Sequence, residues 1–288
     1  MKPTLAIIGL GLIGGSLARA LRAAGAVGAI HGFDADPAQR ATAHQLGVID
    51  IAADSVAEAV RTADVIVLAV PVLRTAEALQ AVLPALKPGA IVTDVGSTKQ
   101  SVLADVQRVC GALPGWFVAA HPIAGTEKSG AAAGFAELFS GKRLILTPHV
   151  QQDAAALATV RALWQAAGAR VVEMDAARHD AIFAATSHLP HVLAYSFVEL
   201  LADSANSEEI FSNAGGGFRD FTRIASSSAE MWHDIVRANA DEVLHLLKNQ
   251  IAQLQAVQQL IEQQQWPALK SRFERARAAR ERHLAHIE

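Results

Sequence analysis

Three glycines and an acid are the first residues here whose types and spacing could do chemistry. Gly9, Gly11 and Gly14 stand in G-x-G-x-x-G spacing directly after the apolar run Thr4-Leu5-Ala6-Ile7-Ile8, and Ser16 to Ala24 is rich in good helix formers. A strand, a tight turn and a helix in that order cradle a diphosphate. The first glycine permits the sharp turn, the second lets the pyrophosphate approach the backbone, and the third lets the helix pack on the strand. The free N–H groups of the helix then face the phosphates. Asp34, 20 residues past Gly14, ends the run Gly28 to Phe33 where a dinucleotide site needs a carboxylate for the ribose hydroxyls. Its competing role is a turn or helix cap before Asp36-Pro37. A carboxylate there repels a 2′-phosphate and no arginine follows directly, so the reading favours NAD over NADP.

Other groupings follow. The stretches Asp94-Val95-Gly96-Ser97-Thr98-Lys99 and His121-Pro122-Ile123-Ala124-Gly125-Thr126-Glu127-Lys128-Ser129-Gly130 are polar and glycine-containing, as substrate loops are. In Thr186-Ser187-His188-Leu189-Pro190-His191 the serine and both histidines share one helix face, and Pro190 should kink that helix. Asp220 and Arg223 are three apart, just past Gly215-Gly216-Gly217.

The elements that must position these groups alternate. After Asp34 a helix is expected over Pro37–Leu46, a short segment at Val48–Ala52 and a helix over Ser55–Arg61. A buried strand Asp64–Val70 stopped by Pro71, a helix over Thr75–Leu86 and a strand Ala90–Val95 come next. Strands over Trp116–Ala120, Arg143–Thr147 and Arg170–Met174 and a helix over Asp153–Ala167 complete a doubly wound α/β domain, residues 1–174, whose ligand lies beyond the carboxyl ends of the strands. From Asp175 the periodicity is helical only, giving an all-α domain over 175–288. Ser227-Ser228-Ala229-Glu230 matches a capping box and predicts one long helix to about Gln263. Leu244, Leu247, Ile251, Leu254 and Ile261 form an apolar seam along it that needs a partner, within the chain or on a second copy. Six basic residues over Lys270–Arg282, interleaved with glutamates, read as a solvated helix face.

Composition excludes several classes. With 288 residues, 51% hydrophobic, the chain has material for two cores. A formal net charge of −3 gives no general attraction to nucleic acid or membrane. One cysteine, Cys110, allows no internal disulfide and no cysteine cluster for zinc, so no metal is expected. The start Met1-Lys2-Pro3 leads straight into a strand without a signal peptide, and no apolar run reaches the ~18 residues of a membrane span. The expected compartment is the cytoplasm.

Taken together, Gly9–Ser16, Asp94–Lys99, His121–Glu127, Ser187-His188-Leu189-Pro190-His191 and Asp220-Phe221-Thr222-Arg223-Ile224-Ala225 resemble the prephenate/arogenate (cyclohexadienyl) dehydrogenase family over nearly the whole chain. The resemblance implies NAD-dependent oxidation of a ring alcohol with loss of carbon dioxide, on prephenate and possibly arogenate, toward tyrosine. It implies His121 as the base, against a role in ordering the Pro122 turn. Ser97 would hydrogen-bond the reacting hydroxyl, or cap the next helix. Arg223 would bind the ring carboxylate, or pair with Asp220, whose own expected task is to orient it. Ser187, His188, His191, Thr126 and Glu127 would wall the substrate, with His188 equally readable as a histidine bonded inside a kinked helix. Gly9, Gly11, Leu12, Ile13, Gly14, Asp34, Val70 and Pro71 would hold the cofactor. His31, His149, His245 and His286 have no motif around them. The family's dimers imply a homodimer through the C-terminal helices. With no mutase segment before Thr4 and no regulatory domain after the helices, the expectation is a monofunctional chain in which inhibitory tyrosine would compete at the active site. The rival readings are another two-domain NAD(P)-dependent 3-hydroxy acid dehydrogenase and a nucleotide-sensing protein without turnover.

Overall fold

The computed structural model describes residues 2–126 and 128–287. Its first part alternates as β1 (Leu5–Ile8), α1 (Leu12–Ala23), β2 (Ile30–Phe33), α2 (Pro37–Gln45), β3 (Ile51–Ala52), α3 (Val56–Val60), β4 (Val65–Leu68), α4 (Thr75–Val82), β5 (Ile91–Asp94), α5 (Gln100–Cys110) and β6 (Phe117–Val118). These strands are all parallel, in the order β3-β2-β1-β4-β5-β6. The order reverses at β1 and β4, which opens a crevice at their carboxyl ends. Both strands are buried at every position, as parallel strands covered on two faces must be. Leu5 and Ile7 join one apolar cluster while Ala6 and Ile8 join the other, one core on each face of the sheet.

One strand expected over Trp116–Ala120 is divided. β6 ends at Val118, and β7 (Ala120–Pro122) belongs to a second sheet, antiparallel to β8 (Arg143–Leu146), which runs parallel to β9 (Arg170–Glu173). The helix α6 (Ala154–Ala166) links β8 and β9. His121 therefore lies inside a strand, opposite Ile145, and not on a loop after one.

The rest is helical: α7 (Ala176–Phe183), a π turn over Ala184–His188, α8 (Leu189–Ala202), α9 (Ser207–Ser212), α10 (Gly216–Thr222), α11 (Ala229–Ala238), α12 (Ala240–Glu262) and α13 (Trp266–Ile287). The π turn replaces the expected kink. Pro190 has no N–H for the carbonyl of Thr186 and crowds it, and widening the preceding turn relieves both problems. Ser228 caps α11 as its box predicts, accepting from the N–H of Met231 at 3.3 Å. The predicted continuous helix, however, breaks at Asn239, whose side chain is engaged elsewhere. Contrary to the expectation of no span-length segment, Ala176–Ala202 form a 27-residue helical run containing an 18-residue window of mean hydropathy 1.2, long and apolar enough by length and composition alone to cross a membrane. His179, Asp180 and His188 on that run are buried with polar partners in the protein, as in a core helix.

By compactness the chain divides into Met1–Ala240 and Asp241–Glu288, so the change from α/β to all-α at Asp175 falls inside the first unit. In the second unit Leu244, Ile251, Leu254, Ile261, Trp266 and Phe273 are all exposed. Ion pairs Lys270–Glu274 and Arg277–Glu281 run along the surface of α13.

Candidate active site

The glycine turn has the shape that its residues require. Gly9 has φ +101°, and a Cβ there would collide with the carbonyl of Ala69, just past β4. A Cβ on Gly14 would strike the carbonyl of Gly9, so α1 sits against the turn as only glycine allows. Gly11 has open space before it, with nothing within 4 Å of an added Cβ. No side chain caps α1, which leaves the N–H groups of its first turn, Leu12 and Ile13 among them, for an anion.

Asp34 Oδ2 accepts from the N–H of Leu10 at 2.7 Å and Oδ1 from Asp36 N–H at 2.9 Å, while Asp36 itself caps α2. The carboxylate is thus tied to the glycine turn and also orders the turn ahead of α2. Val70 and Pro71 follow β4 at the crevice. An open anion cradle with a carboxylate tied beside it fits NAD. Sequence reasoning missed Arg40, whose guanidinium donates to the carbonyl of Asp34 at 2.7 Å and lies 5.5 Å from the centroid of the Phe33 ring.

Across the crevice, His121 Nδ1 is 2.8 Å from His179 Nε2, and His179 Nδ1 is 2.8 Å from Asp180 Oδ1. Asp180 also accepts from the backbone N–H groups of Lys99 at 2.8 Å and Gln100 at 2.9 Å. Burial raises its carboxyl, but the hydrogen bonds from His179, Lys99 and Gln100 outweigh that and hold it below the ordinary value. An ionised carboxylate only accepts, so His179 carries its proton on Nδ1. Burial lowers the pKa of His179, so it is neutral and Nε2 accepts. His121 must then donate from Nδ1, which leaves Nε2 with a free lone pair. Burial first, then His179, Lys99 and His188, pushes His121 well below the ordinary histidine range. The result is a neutral imidazole with one basic nitrogen.

Neither His179 nor Asp180 lay in any motif; they come 58 and 59 residues after His121, and only the fold brings them together. Ser97 lies between β5 and α5 and its hydroxyl makes no hydrogen bond among the described residues. It does not cap α5, because the Asp180 carboxylate takes that place from 80 residues away.

The second wall is built around Trp232. His191 stacks on its ring, with centroids 3.4 Å apart and planes at 19°, and its Nδ1 donates to the carbonyl of Ser187 at 2.9 Å. Burial lowers the pKa of His191, and the nearby Arg223 charge acts in the same direction against that hydrogen bond. His188 is buried. The amide of Asn239 donates to its Nδ1 at 3.1 Å and to the carbonyl of Asp180 at 3.0 Å. Burial pushes His188 down to about 4, so it is neutral and carries its proton on Nε2. The indole N–H of Trp232 is buried and has no hydrogen-bond partner among the described residues, a free donor in this wall.

Arg223 is exposed and makes no ion pair among the described residues. Asp220 was expected to orient it, but instead faces the exposed Arg219 at 3.8 Å, because the two are neighbours on the free face of α10. Thr126 is exposed and accepts from Lys128 N–H at 3.2 Å. Glu127 lies outside the described residues.

Two family descriptions match this chain: "Prephenate dehydrogenase, nucleotide-binding domain" over residues 17–173 and "Prephenate dehydrogenase, dimerization domain" over residues 175–275. The chain is 38% identical to the cyclohexadienyl dehydrogenase of Zymomonas mobilis, over 96% of this chain and 94% of that one. Among solved structures it superposes on prephenate dehydrogenase from A. aeolicus in complex with hydroxyphenyl propionate and NAD+, with a TM-score of 0.91, 34% identity and 98% of each chain covered. Arogenate dehydrogenase of Synechocystis is similar with a TM-score of 0.81 and 28% identity, covering 97% of this chain and 99% of that one.

Proposed function

The chain belongs to the prephenate dehydrogenase family, and we propose that it oxidises prephenate with NAD+ to 4-hydroxyphenylpyruvate and carbon dioxide, in tyrosine biosynthesis. The observation that carries the mechanism is the chain of contacts from His121 Nδ1 to His179 and on to Asp180. Because an ionised Asp180 only accepts, the chain runs from His121 to Asp180 and leaves His121 Nε2 as acceptor. Nε2 takes the proton of the ring alcohol, and the carbon that bore it gives up hydride. The bond to the ring carboxylate breaks, its electrons complete the aromatic ring, and carbon dioxide departs. When bound at the glycine turn, NAD+ supplies the hydride acceptor. Gly9, Gly11, Leu12, Ile13, Gly14, Asp34, Val70 and Pro71 hold it.

Each remaining group has a task the chemistry needs. Ser97 orients the reacting hydroxyl. Arg223, a permanent cation with no other partner among the described residues, binds the ring carboxylate. Ser187, His188, His191 and Thr126 wall the substrate, with Glu127, outside the described residues, assigned the same task by the family resemblance alone. His191, stacked on Trp232, meets the substrate side chain, and arogenate is the second substrate to be tried. Tyrosine competes at the same site. Residues 1–174 form the nucleotide domain and 175–288 the helical domain. The exposed apolar residues of α12 and α13 support a homodimer through the C-terminal helices, in the cytoplasm.

Initial rates of nicotinamide reduction, with prephenate and arogenate and with NAD+ and NADP+, test the reading. Prephenate turnover with NAD+ is expected, together with a roughly 10²- to 10⁴-fold loss of kcat in His121→Asn. No turnover of either substrate, or full turnover in that variant, would overturn it.

A further inference from the structure

Lys99 has no exposed surface, yet its ammonium is 2.5 Å from Asp94 Oδ2 and 2.7 Å from the carbonyl of Ala120. Asp94 Oδ1 accepts the N–H of Ala120 at 3.0 Å, and Oδ2 that of Gly96 at 2.7 Å. The register explains why Ala120 needs these partners. Thr147 N–H donates to the carbonyl of Ala119 and Ile123 N–H to that of Arg143. Ala120, opposite Leu146, therefore turns both of its backbone groups away from β8, toward β5. No strand pairs with them there, because β5, whose register with this run is Thr93 opposite Val118, ends at Asp94. One lysine and one aspartate stand in for the missing strand, one residue before His121.

We propose that Lys99 is a positioning residue of the active site: held between Asp94 and Ala120, it bridges the gap between the two sheets and sets the strand that carries His121. Its backbone N–H closes the circuit by donating to Asp180, so the path Lys99, Ala120, His121, His179, Asp180 returns to Lys99. Stability alone does not account for the pair. A buried ion pair is often matched or bettered by apolar residues of equal volume.

The charge has a second effect. His121 is faced by His179 from α7, by His188 from the π turn and by Lys99 from the β5–α5 connection, with Asp180 bonded behind His179 and Asp94, at the end of β5, bonded to Lys99. A fixed ammonium among these disfavours a second cation on the imidazoles. The link to turnover rests on the reading of His121 as base, and the test separates the two.

In Lys99→Met, and in Asp94→Asn/Lys99→Met should the single variant not fold, kcat for prephenate is expected to fall roughly 10²-fold. The dissociation constant for NAD+, read by intrinsic fluorescence, should change little. In the single variant, removing a positive charge favours imidazolium, so the acid limb of kcat should move up by on the order of one pH unit. The titration of the His121 ring nitrogens, followed by ¹⁵N NMR, should move with it. In the double variant, which removes both charges, the fall in kcat alone carries the test. A folded variant with unchanged kcat and unchanged limb would overturn the proposal. ¹⁵N spectra of the unaltered protein that place the proton of His121 on Nε2 at neutral pH would overturn the base assignment, and a His121 titration unmoved in the folded Lys99→Met variant would overturn the positioning role. If His121→Asn turned over normally, the base assignment would fall, yet a shifted His121 titration in the Lys99 variant would still support the positioning role.

Discussion

Changing Asp180 to Asn tests whether the histidine relay acts as one unit. The carboxylate serves three donors: Oδ1 receives His179 Nδ1–H and Lys99 N–H, and Oδ2 receives Gln100 N–H. An amide keeps one oxygen and gains an NH₂ that cannot accept. With its oxygen at the Oδ1 position it still serves two donors and leaves Gln100 facing an N–H. Reversed, it serves Gln100 alone, drives the proton of His179 to Nε2, and forces His121 to carry its own proton on the nitrogen that should accept. Each unmade bond at a buried donor costs about 1–3 kcal/mol, so the first orientation prevails.

The relay then keeps its direction but loses the negative charge that stabilises a protonated His121. Replacing a charge-assisted hydrogen bond with a neutral one costs about 1–2 kcal/mol, or a roughly 5- to 30-fold fall in kcat with little change in KM. The N-terminus of α5 loses its carboxylate as well, worth about 1–2 kcal/mol of stability. Steady-state kinetics with saturating NAD+ and a thermal melt measure both. An unchanged kcat would show that His179 and Asp180 do not act through His121. A fall near 10⁴-fold, the scale of a wrong-tautomer defect in serine proteases, would refute the orientation argument.

Two further outcomes follow from the geometry. Because Arg40 already lies against Asp34, Asp34→Ser alone should raise affinity for NADP+ about tenfold or more, read by titration of intrinsic fluorescence; no gain would mean that Arg40 does not reach the added phosphate. His188 is held near 4 in the folded chain against about 6.5 unfolded, so between those values only the unfolded chain takes up its proton. Its contribution, about 3 kcal/mol, is present above pH 6.5 and is lost as pH falls toward 4, a slope that chemical denaturation at stepped pH would show and His188→Gln should flatten.

Much of this site was legible in residue order. The glycine turn and Asp34 are a local code, because strand, turn and helix must follow one another within some thirty residues to make a cradle. The alternation that built the parallel sheet is likewise written in short apolar runs. The roles of His179, Asp180 and Lys99 were not legible, because each acts across 21 to 81 residues of chain; His179 and Asp180 lie in no motif, and Lys99, though it ends the stretch Asp94–Lys99, had no role that the stretch alone could show. The divided strand at Ala119 was hidden because every residue from Phe117 to Ala120 is buried and apolar, which suits one strand as well as two. Asn239 broke a predicted helix without glycine or proline to announce it. Its amide is drawn to Asp180 and His188, a tertiary demand with no local signature.

The π turn at Ala184–His188 has a consequence for how a single deletion could ruin this protein. A π turn is an α-helix carrying one surplus residue, held because its surroundings reward the wider loop. Deleting the exposed Ala185 would let α7 run more regularly toward α8, at some strain near Pro190. The same deletion would rotate everything downstream by about 100° relative to His179. His188 and His191 would leave the wall they form with Trp232. A variant with a lower melting temperature and almost no turnover is the expected product, because the Pro190 conflict returns while the Asn239–His188 bond and the His191–Trp232 stack are lost.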